Sequence, residues 1–399
     1  MLNTTLPPWP SYSQEESRAV ADVIASNRVN YWTGDECRSF EAEYAVWCGS
    51  EKAIALHNGT VALDVALKAL GVGLGDEVIV TPRTFIASIS CVVTAGAIPV
   101  FADVDIDSGN IAPATIEPKI TSKTKAIIPV HLAGWPCDMH GILALAHTHG
   151  IKVIEDCAQA HGARIGGRSV GTFGDVGAWS FCQDKIMTTG GEGGMVTTND
   201  HNLWSTMWSY KDHGKSWDAV YNKQHPPGYR WLHESFGTNW RMLEVQAVLG
   251  RLQLKQMPEW TSRRAAIANK IMAVLDQFSD ILRVPKPTAD ITHAYYRLYA
   301  YVRPEALAPG WTRDRIVAEC MALGAPVFQG SCSEVYLEKA FDGSGFRPEE
   351  RLSNAKALGE DSLMFLTHPN ITDADVNRVA DIFESVLRDA SNFTSNTGH

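Results

Sequence analysis

The sequence predicts an α/β protein with a mostly parallel sheet covered by helices on both faces, followed by a smaller C-terminal α/β domain. Two observations carry this. Between residues 53 and 198, short apolar runs of strand length alternate with runs of helical periodicity, the pattern of strand–helix–strand units. The chain also has 399 residues and 45% hydrophobic content, enough for a large core and a second domain.

In order, Ser13-Gln-Glu-Glu16 has the form of a capping box, and it opens a helix whose Val20, Val23 and Ile24 fall at helical spacing. Asn30-Tyr-Trp-Thr-Gly34 reads as a loop. Ala53–Leu56 is a strand, Val61–Leu70 a helix stopped by Gly71, Glu77–Val80 a strand, and a helical run follows through Val93. Further strands are expected at Ile98–Phe101, Ala126–Val130, Lys152–Glu155, Val176–Phe181 and Gly194–Thr198, with a helix over Ile142–Thr148. Residues 239–280 read as long helices, and Tyr295–Val302 as a strand of the smaller domain. The large domain, with its N-terminal arm and helix, is placed at residues 1–255 and the small one at 256–399. The polar tail from Ser391 to His399 is expected to fray.

Composition excludes several function classes. With 35 Lys+Arg against 45 Asp+Glu the net charge is -10, and no basic run exists to follow a nucleic-acid backbone. No stretch approaches the roughly eighteen apolar residues that would cross a bilayer, and the opening Met1 to Pro10 lacks a signal-peptide pattern, so the expected location is the cytoplasm. The eight cysteines, at 37, 48, 91, 137, 157, 182, 320 and 332, form no Cys-x-x-Cys pair or metal-site cluster and read as reduced thiols.

In open parallel sheets, ligands gather beyond the carboxyl ends of the strands. Lys185 lies there, in Ser180-Phe-Cys-Gln-Asp-Lys185, just ahead of Gly190-Gly-Glu-Gly-Gly194. A lysine amine in such a place can form a Schiff base with a carbonyl cofactor such as pyridoxal phosphate, and the glycines would let a flat ring approach. The bland alternative is a solvated surface lysine. Asn58-Gly-Thr60 ends one strand and opens a helix, which offers free N–H groups and a hydroxyl to a phosphate, or a plain helix cap. Asp156 ends another strand and can meet a pyridine nitrogen, or cap the strand-to-helix junction there, with Gln159 one turn on to meet a ring hydroxyl. Phe85 can lie flat on a ring, or pack in the core; Ser180 offers a hydroxyl to a phosphate.

With these pieces in register, the chain resembles the DegT/DnrJ/EryC1/StrS family of nucleotide-sugar aminotransferases over roughly residues 10 to 385. The shared stretches are Asn58-Gly-Thr60 with Ala62-Leu63, Gly73 to Ile79, Thr84-Phe85, Phe101 to Asp105, His131-Leu-Ala-Gly134, Glu155 to Gln159, Gly171 to Asp175, Ser180-Phe181, Lys185, Gly191 to Gly194 and Gly237-Thr-Asn239-Trp-Arg241. The resemblance implies the aspartate aminotransferase fold, known as fold type I. It also implies pyridoxal 5'-phosphate as cofactor, with pyridoxamine 5'-phosphate as its aminated intermediate. By resemblance, Lys185 carries the cofactor, Asp156 meets the ring nitrogen and Gln159 the ring hydroxyl. Gly59, Thr60 and Ser180 hold the phosphate, Phe85 stacks, and Asn239 reaches in from the other subunit of a homodimer with shared sites.

The same resemblance implies transfer of the amino group of L-glutamate to a nucleotide-linked keto-sugar, with an NDP-4-keto-6-deoxyhexose as the expected acceptor. Two stretches depart from the family pattern. The usual Ser-Phe-His-Pro-Ser-Lys is Ser180-Phe-Cys-Gln-Asp-Lys185, and Pro326 to Tyr336 replaces a His-Tyr-Pro segment. Tyr31, Trp32, His293, Phe328 and Tyr336 are the candidate substrate contacts. Alternatives are a 3-keto-sugar aminotransferase, a sugar dehydratase, or a cofactor-binding regulator without catalysis. A dehydratase would have histidine in place of Lys185, and no DNA-binding patch supports a regulator.

Overall fold

Seven apolar runs line up as one sheet in the computed structural model, which describes residues 5–391. The order across the sheet is Lys52–Leu56, Gly194–Thr198, Val176–Ser180, Lys152–Asp156, Thr124–Ile128, Glu77–Val80 and Ile98–Phe101. Neighbours from Val176–Ser180 to Ile98–Phe101 are parallel, whereas Gly194–Thr198 runs antiparallel to both of its neighbours. Alternation explains why the strands read as continuous apolar runs. Ile54 and Leu56 enter the core under the helices Gly59–Ala69 and Ala87–Thr94, while Ala53 and Ala55 pack against Glu36–Cys48 on the other face.

The capping box forms as read: Ser13 and Glu16 exchange both bonds at the start of the helix Gln14–Ala25. The stretch 239–280 differs from the expectation of long helices. One helix spans Glu244–Leu275, running unbroken through position 255, and the residues before it are extended. Trp240 accepts from the His57 N–H and Arg241 bridges Leu56, so pairing along the sheet edge overrides local helical preference.

A second, antiparallel sheet has the order Leu282–Arg283, Arg297–Val302, Ser362–Leu366 and Val327–Phe328. It shares a core with the second half of the long helix and with Asp373–Ala390. A small sheet of two-residue strands, Ile291–Thr292 with Arg164–Ile165 and Arg168–Ser169, ties the two parts of the chain together. Among the described residues no helix is long and apolar enough to cross a membrane. The tail expected to fray lies, beyond residue 391, outside the described residues.

Candidate active site

A cleft of about 390 Å³ opens where the parallel strands end. Asn58, Gly59 and Thr60 line it after one strand, Thr84 and Phe85 after the next, then Val130, then Asp156 with Gln159, and last Ser180 with Asp184 and Lys185. Seven of the residues singled out from sequence therefore meet in one place: Gly59, Thr60, Phe85, Asp156, Gln159, Ser180 and Lys185.

The helix Gly59–Ala69 supplies one end of the cleft. Asn58 caps it by accepting from the Val61 N–H at 3.0 Å, which leaves the Gly59 and Thr60 N–H groups without a protein partner among the described residues. A Cβ at Gly59 would sit 2.6 Å from the Ser180 Cβ, so only glycine lets that hydroxyl and the helix N-terminus converge. The run 190–194 works differently from the sequence expectation. A Cβ at Gly194 would sit 2.2 Å from the Asn58 carbonyl oxygen, so this glycine serves the close approach of two backbone segments of the sheet edge, not the approach of a ring.

Asp156 is buried, and it accepts from the Ser88 hydroxyl at 2.8 Å and the Ala158 N–H at 3.1 Å. Burial pushes its carboxyl up, against those two hydrogen bonds, and no cationic side chain forms an ion pair with it among the described residues. Gln159 accepts the Ala133 N–H at 2.7 Å through Oε1, which leaves its amide nitrogen as a donor. The Phe85 ring is 69% exposed on the cleft wall. Lys185 has a largely buried side chain, its Nζ 3.5 Å from Asp184 Oδ1, and its carbonyl is fixed by Trp9 Nε1 at 2.8 Å.

The other candidates do not line this cleft. Tyr31 is buried, with its hydroxyl between Glu41 and Trp208, and Trp32 donates to Asp212 at 2.8 Å. His293 is buried and stacked on Tyr295 at 4.1 Å, beside a separate small cavity. Burial pushes its imidazole down to about 3. Phe328 pairs with Met364 in the smaller sheet, and Tyr336 is buried with its hydroxyl on Glu334 at 2.6 Å. Asn239 is exposed and bridges Asp212 at the sheet edge, outside the cleft of its own chain. Sequence reading missed Ser88, Asp184 and Tyr296. Ser88 had a signal, since it follows Thr84 by one helical turn at a strand end, and the two hydroxyls lie 2.9 Å apart.

These residues fit a flat, phosphorylated pyridine. A buried carboxylate lacking a cation suits a ring N–H, an amide donor suits a ring hydroxyl, and unpaired N–H groups at a helix N-terminus suit a phosphate. Fold and fit together define the class, a pyridoxal 5'-phosphate-dependent aminotransferase. The sequence profile of the DegT/DnrJ/EryC1/StrS aminotransferase family matches residues 10–384, and the chain belongs to that family. Among solved structures it is similar to the aminotransferase from Psychrobacter cryohalolentis, with 61% identity and a TM-score of 0.96 over 96% of this chain and 99% of that one. It is 38% identical over 354 residues to the GDP-perosamine synthase of Caulobacter vibrioides, covering 87% of this chain and 89% of that one. It is also 34% identical over 368 residues to the dTDP-3-amino-3,4,6-trideoxy-alpha-D-glucose transaminase of Streptomyces venezuelae, covering 92% and 90%.

Proposed function

We propose that this enzyme moves the amino group of L-glutamate to a nucleotide-linked keto-sugar, an NDP-4-keto-6-deoxyhexose, in the cytoplasm. The product is an amino sugar for a surface polysaccharide such as O-antigen, or for a natural product. The observation that carries the reading is the convergence of Lys185, Asp156 and Gln159 on one cleft at the strand ends. Two relatives bear nucleotide-linked sugars in their names, GDP-perosamine in one and a dTDP-amino sugar in the other, which supports the acceptor class.

In this reading Asp156 accepts the ring N–H and Gln159 donates to the ring hydroxyl. The Gly59 and Thr60 N–H groups and the Thr60 and Ser180 hydroxyls hold the phosphate, while Phe85 covers one ring face. Bound there, pyridoxal phosphate supplies a carbonyl for the amino group and a protonated ring that withdraws electrons from the reacting carbon. Lys185 anchors the cofactor, and its freed Nζ takes a proton from the donor carbon that bears nitrogen and delivers one to the acceptor carbon. The two half-reactions share one site, so the kinetics are ping-pong.

The site is shared between two copies of the chain, with Asn239 of the partner subunit reaching the phosphate. Supporting this, Asn239 ends an exposed arm on which Tyr229 is 72% exposed, Trp231 83% and Phe236 100%, apolar surface that a second copy would cover. Activity per mass should fall as dilution separates the dimer; constant specific activity in a dissociated sample refutes sharing. A second reading, amination at C3, has the Streptomyces venezuelae relative in its favour, whose name specifies a 3-amino sugar. A panel of 3-keto and 4-keto sugar nucleotides decides between them. Lys185→Ala should abolish both the glutamate-dependent change in cofactor absorbance and all turnover; near-normal transamination in that variant overturns the assignment.

A further inference from the structure

Asp184 is a carboxylate with no part in the scheme above, yet it lines the cleft beside the lysine. One oxygen, Oδ1, lies 3.5 Å from Lys185 Nζ on a side chain that is 55% exposed. The other, Oδ2, accepts a hydrogen bond from the Tyr296 hydroxyl. Tyr296 is buried and comes from the opposite part of the chain, just before the strand Arg297–Val302. Its ring centroid is 5.4 Å from Lys185 Nζ, and the Arg297 guanidinium stacks on the same ring at 4.1 Å. A carboxylate at the mouth of the cleft is thus fixed from behind by a buried hydroxyl, with its remaining oxygen turned to the lysine.

We infer that Asp184, oriented by Tyr296, holds the Lys185 ammonium whenever that amine is not bonded to the cofactor. The inference rests on the reading of Lys185 as the cofactor-bearing lysine. Burial alone pushes the Lys185 amine down, and the groups that act against it are Tyr296, Asp184, Cys182 and Asp156. Of these, Tyr296 and Cys182 are themselves pushed up and uncharged near neutral pH, leaving the carboxylates. Burial also pushes the Tyr296 hydroxyl up, so near neutral pH the phenol is uncharged and cannot itself balance an ammonium. The charge that acts there is Asp184's. Burial would raise this carboxyl, yet Lys185, the Tyr296 hydroxyl and Arg297 together hold it below its usual range. His161 and Arg264 complete the surroundings: burial keeps the imidazole neutral, and the buried guanidinium forms no ion pair among the described residues. An ammonium held on a carboxylate is neither nucleophile nor base until its proton leaves. Asp184 is a positioning residue in this scheme, setting how much free amine Lys185 offers.

The test uses the apoprotein, so that no turnover is needed. Trace acylation with acetic anhydride from about pH 6 to about pH 10, read by peptide mass spectrometry, gives the pH dependence of Lys185 reactivity. Asp184→Asn should displace the rising limb of that curve by about one pH unit to lower pH, making Lys185 about tenfold more reactive near neutrality. Tyr296→Phe should shift it by less, and Asp184→Glu should restore the wild-type curve. Buried Lys211, paired with Glu41 at 3.2 Å, stays unreactive only in folded protein and serves as the folding control. An Asp184→Asn curve that overlays wild type, with Lys211 still protected, overturns the inference. Borohydride reduction of wild-type protein with pyridoxal phosphate, followed by peptide mapping, separates the two levels. Label on another lysine overturns the reading of Lys185; label on Lys185 together with overlaying curves overturns only the role of Asp184.

Discussion

Glu155 and Asp156 are neighbours on one strand, and they serve the two sides of the sheet in opposite ways. Behind the sheet, Glu155 accepts from the Phe173 and Gly174 N–H groups at 2.7 Å each, the Gly171 N–H at 2.8 Å and His131 Nε2 at 3.1 Å. His131 Nδ1 in turn accepts the Cys137 N–H at 3.0 Å, which places the ring proton on Nε2. Cys157 brings a third ligand-type atom within 4.8 Å, but both ring nitrogens and both carboxylate oxygens are already engaged by the chain itself. This group braces the loops at 131–137 and 171–174. On the other side, Asp156 has two donors and faces the cleft with the rest of its capacity. The difference is instructive because both residues are buried acids: a carboxylate satisfied by its own chain is structural, and one left short of partners at a cleft is reserved for a ligand.

The largest expected effect lies on the cleft side. Asp156→Asn should lower the rate of the glutamate half-reaction by on the order of 100-fold or more, because a neutral amide cannot hold a protonated ring. The fold should not suffer. Burial raises the Asp156 carboxyl, so its contribution to apoprotein stability is present below its ordinary value and lost as pH rises through the raised one. Near neutral pH the asparagine variant should therefore unfold in urea at the same concentration as wild-type apoprotein or a higher one. A large loss of stability would erase the distinction between the two acids.

Glu155→Gln should do the reverse. It puts an amide where three N–H groups and an imidazole donate, and leaves at least one buried donor unpaired, for a loss of about 2–3 kcal/mol in unfolding free energy. Turnover per folded, cofactor-loaded molecule should fall by less than about tenfold, since Glu155 touches nothing in the cleft. If Glu155→Gln instead matched Asp156→Asn in rate and kept its stability, the bracing role would fail.

The same contrast explains what was legible in the sequence. Glu77–Val80, Ile98–Phe101 and Gly194–Thr198 were readable to the residue, because a strand covered on both faces carries consecutive apolar residues such as Val78-Ile79-Val80 and Met195-Val196 at its centre. The polar residues that follow such strands stood out for the same reason, and Lys185, Asp156 and Gln159 do share a cleft. Tyr31, Tyr336 and His293 were not legible, since a side chain with an apolar body and a polar tip looks the same in a core as at a ligand. Their partners decide: Trp208 lies 177 positions from Tyr31, and Leu352, whose N–H meets the Tyr336 hydroxyl, lies 16 positions away. Tyr296 was hidden likewise, 112 positions from the Asp184 it orients.

The effect expected to be smallest near neutral pH sharpens the contrast among histidines. His131 has both nitrogens paired, whereas among the described residues neither His161 nitrogen has a hydrogen-bond partner, and its ring lies against Tyr44, Trp179 and Phe181. Burial pushes the His161 imidazole from 6.5 down to about 3. Between those values the unfolded chain binds a proton that the folded one does not, so this residue's contribution to stability is full above 6.5 and is lost as pH falls toward 3. His161→Phe should flatten the decline of unfolding free energy with falling pH by about 1.4 kcal/mol per pH unit across that window, with a change near neutral pH of about 1.5 kcal/mol or less. An unchanged slope would move the proton uptake elsewhere, to His293 or His368, whose imidazoles burial also holds down to about 3. It would mean that His161 finds a proton acceptor inside the fold, and that a buried group with no visible partner is not, by that fact alone, set apart from the bracing side of the sheet.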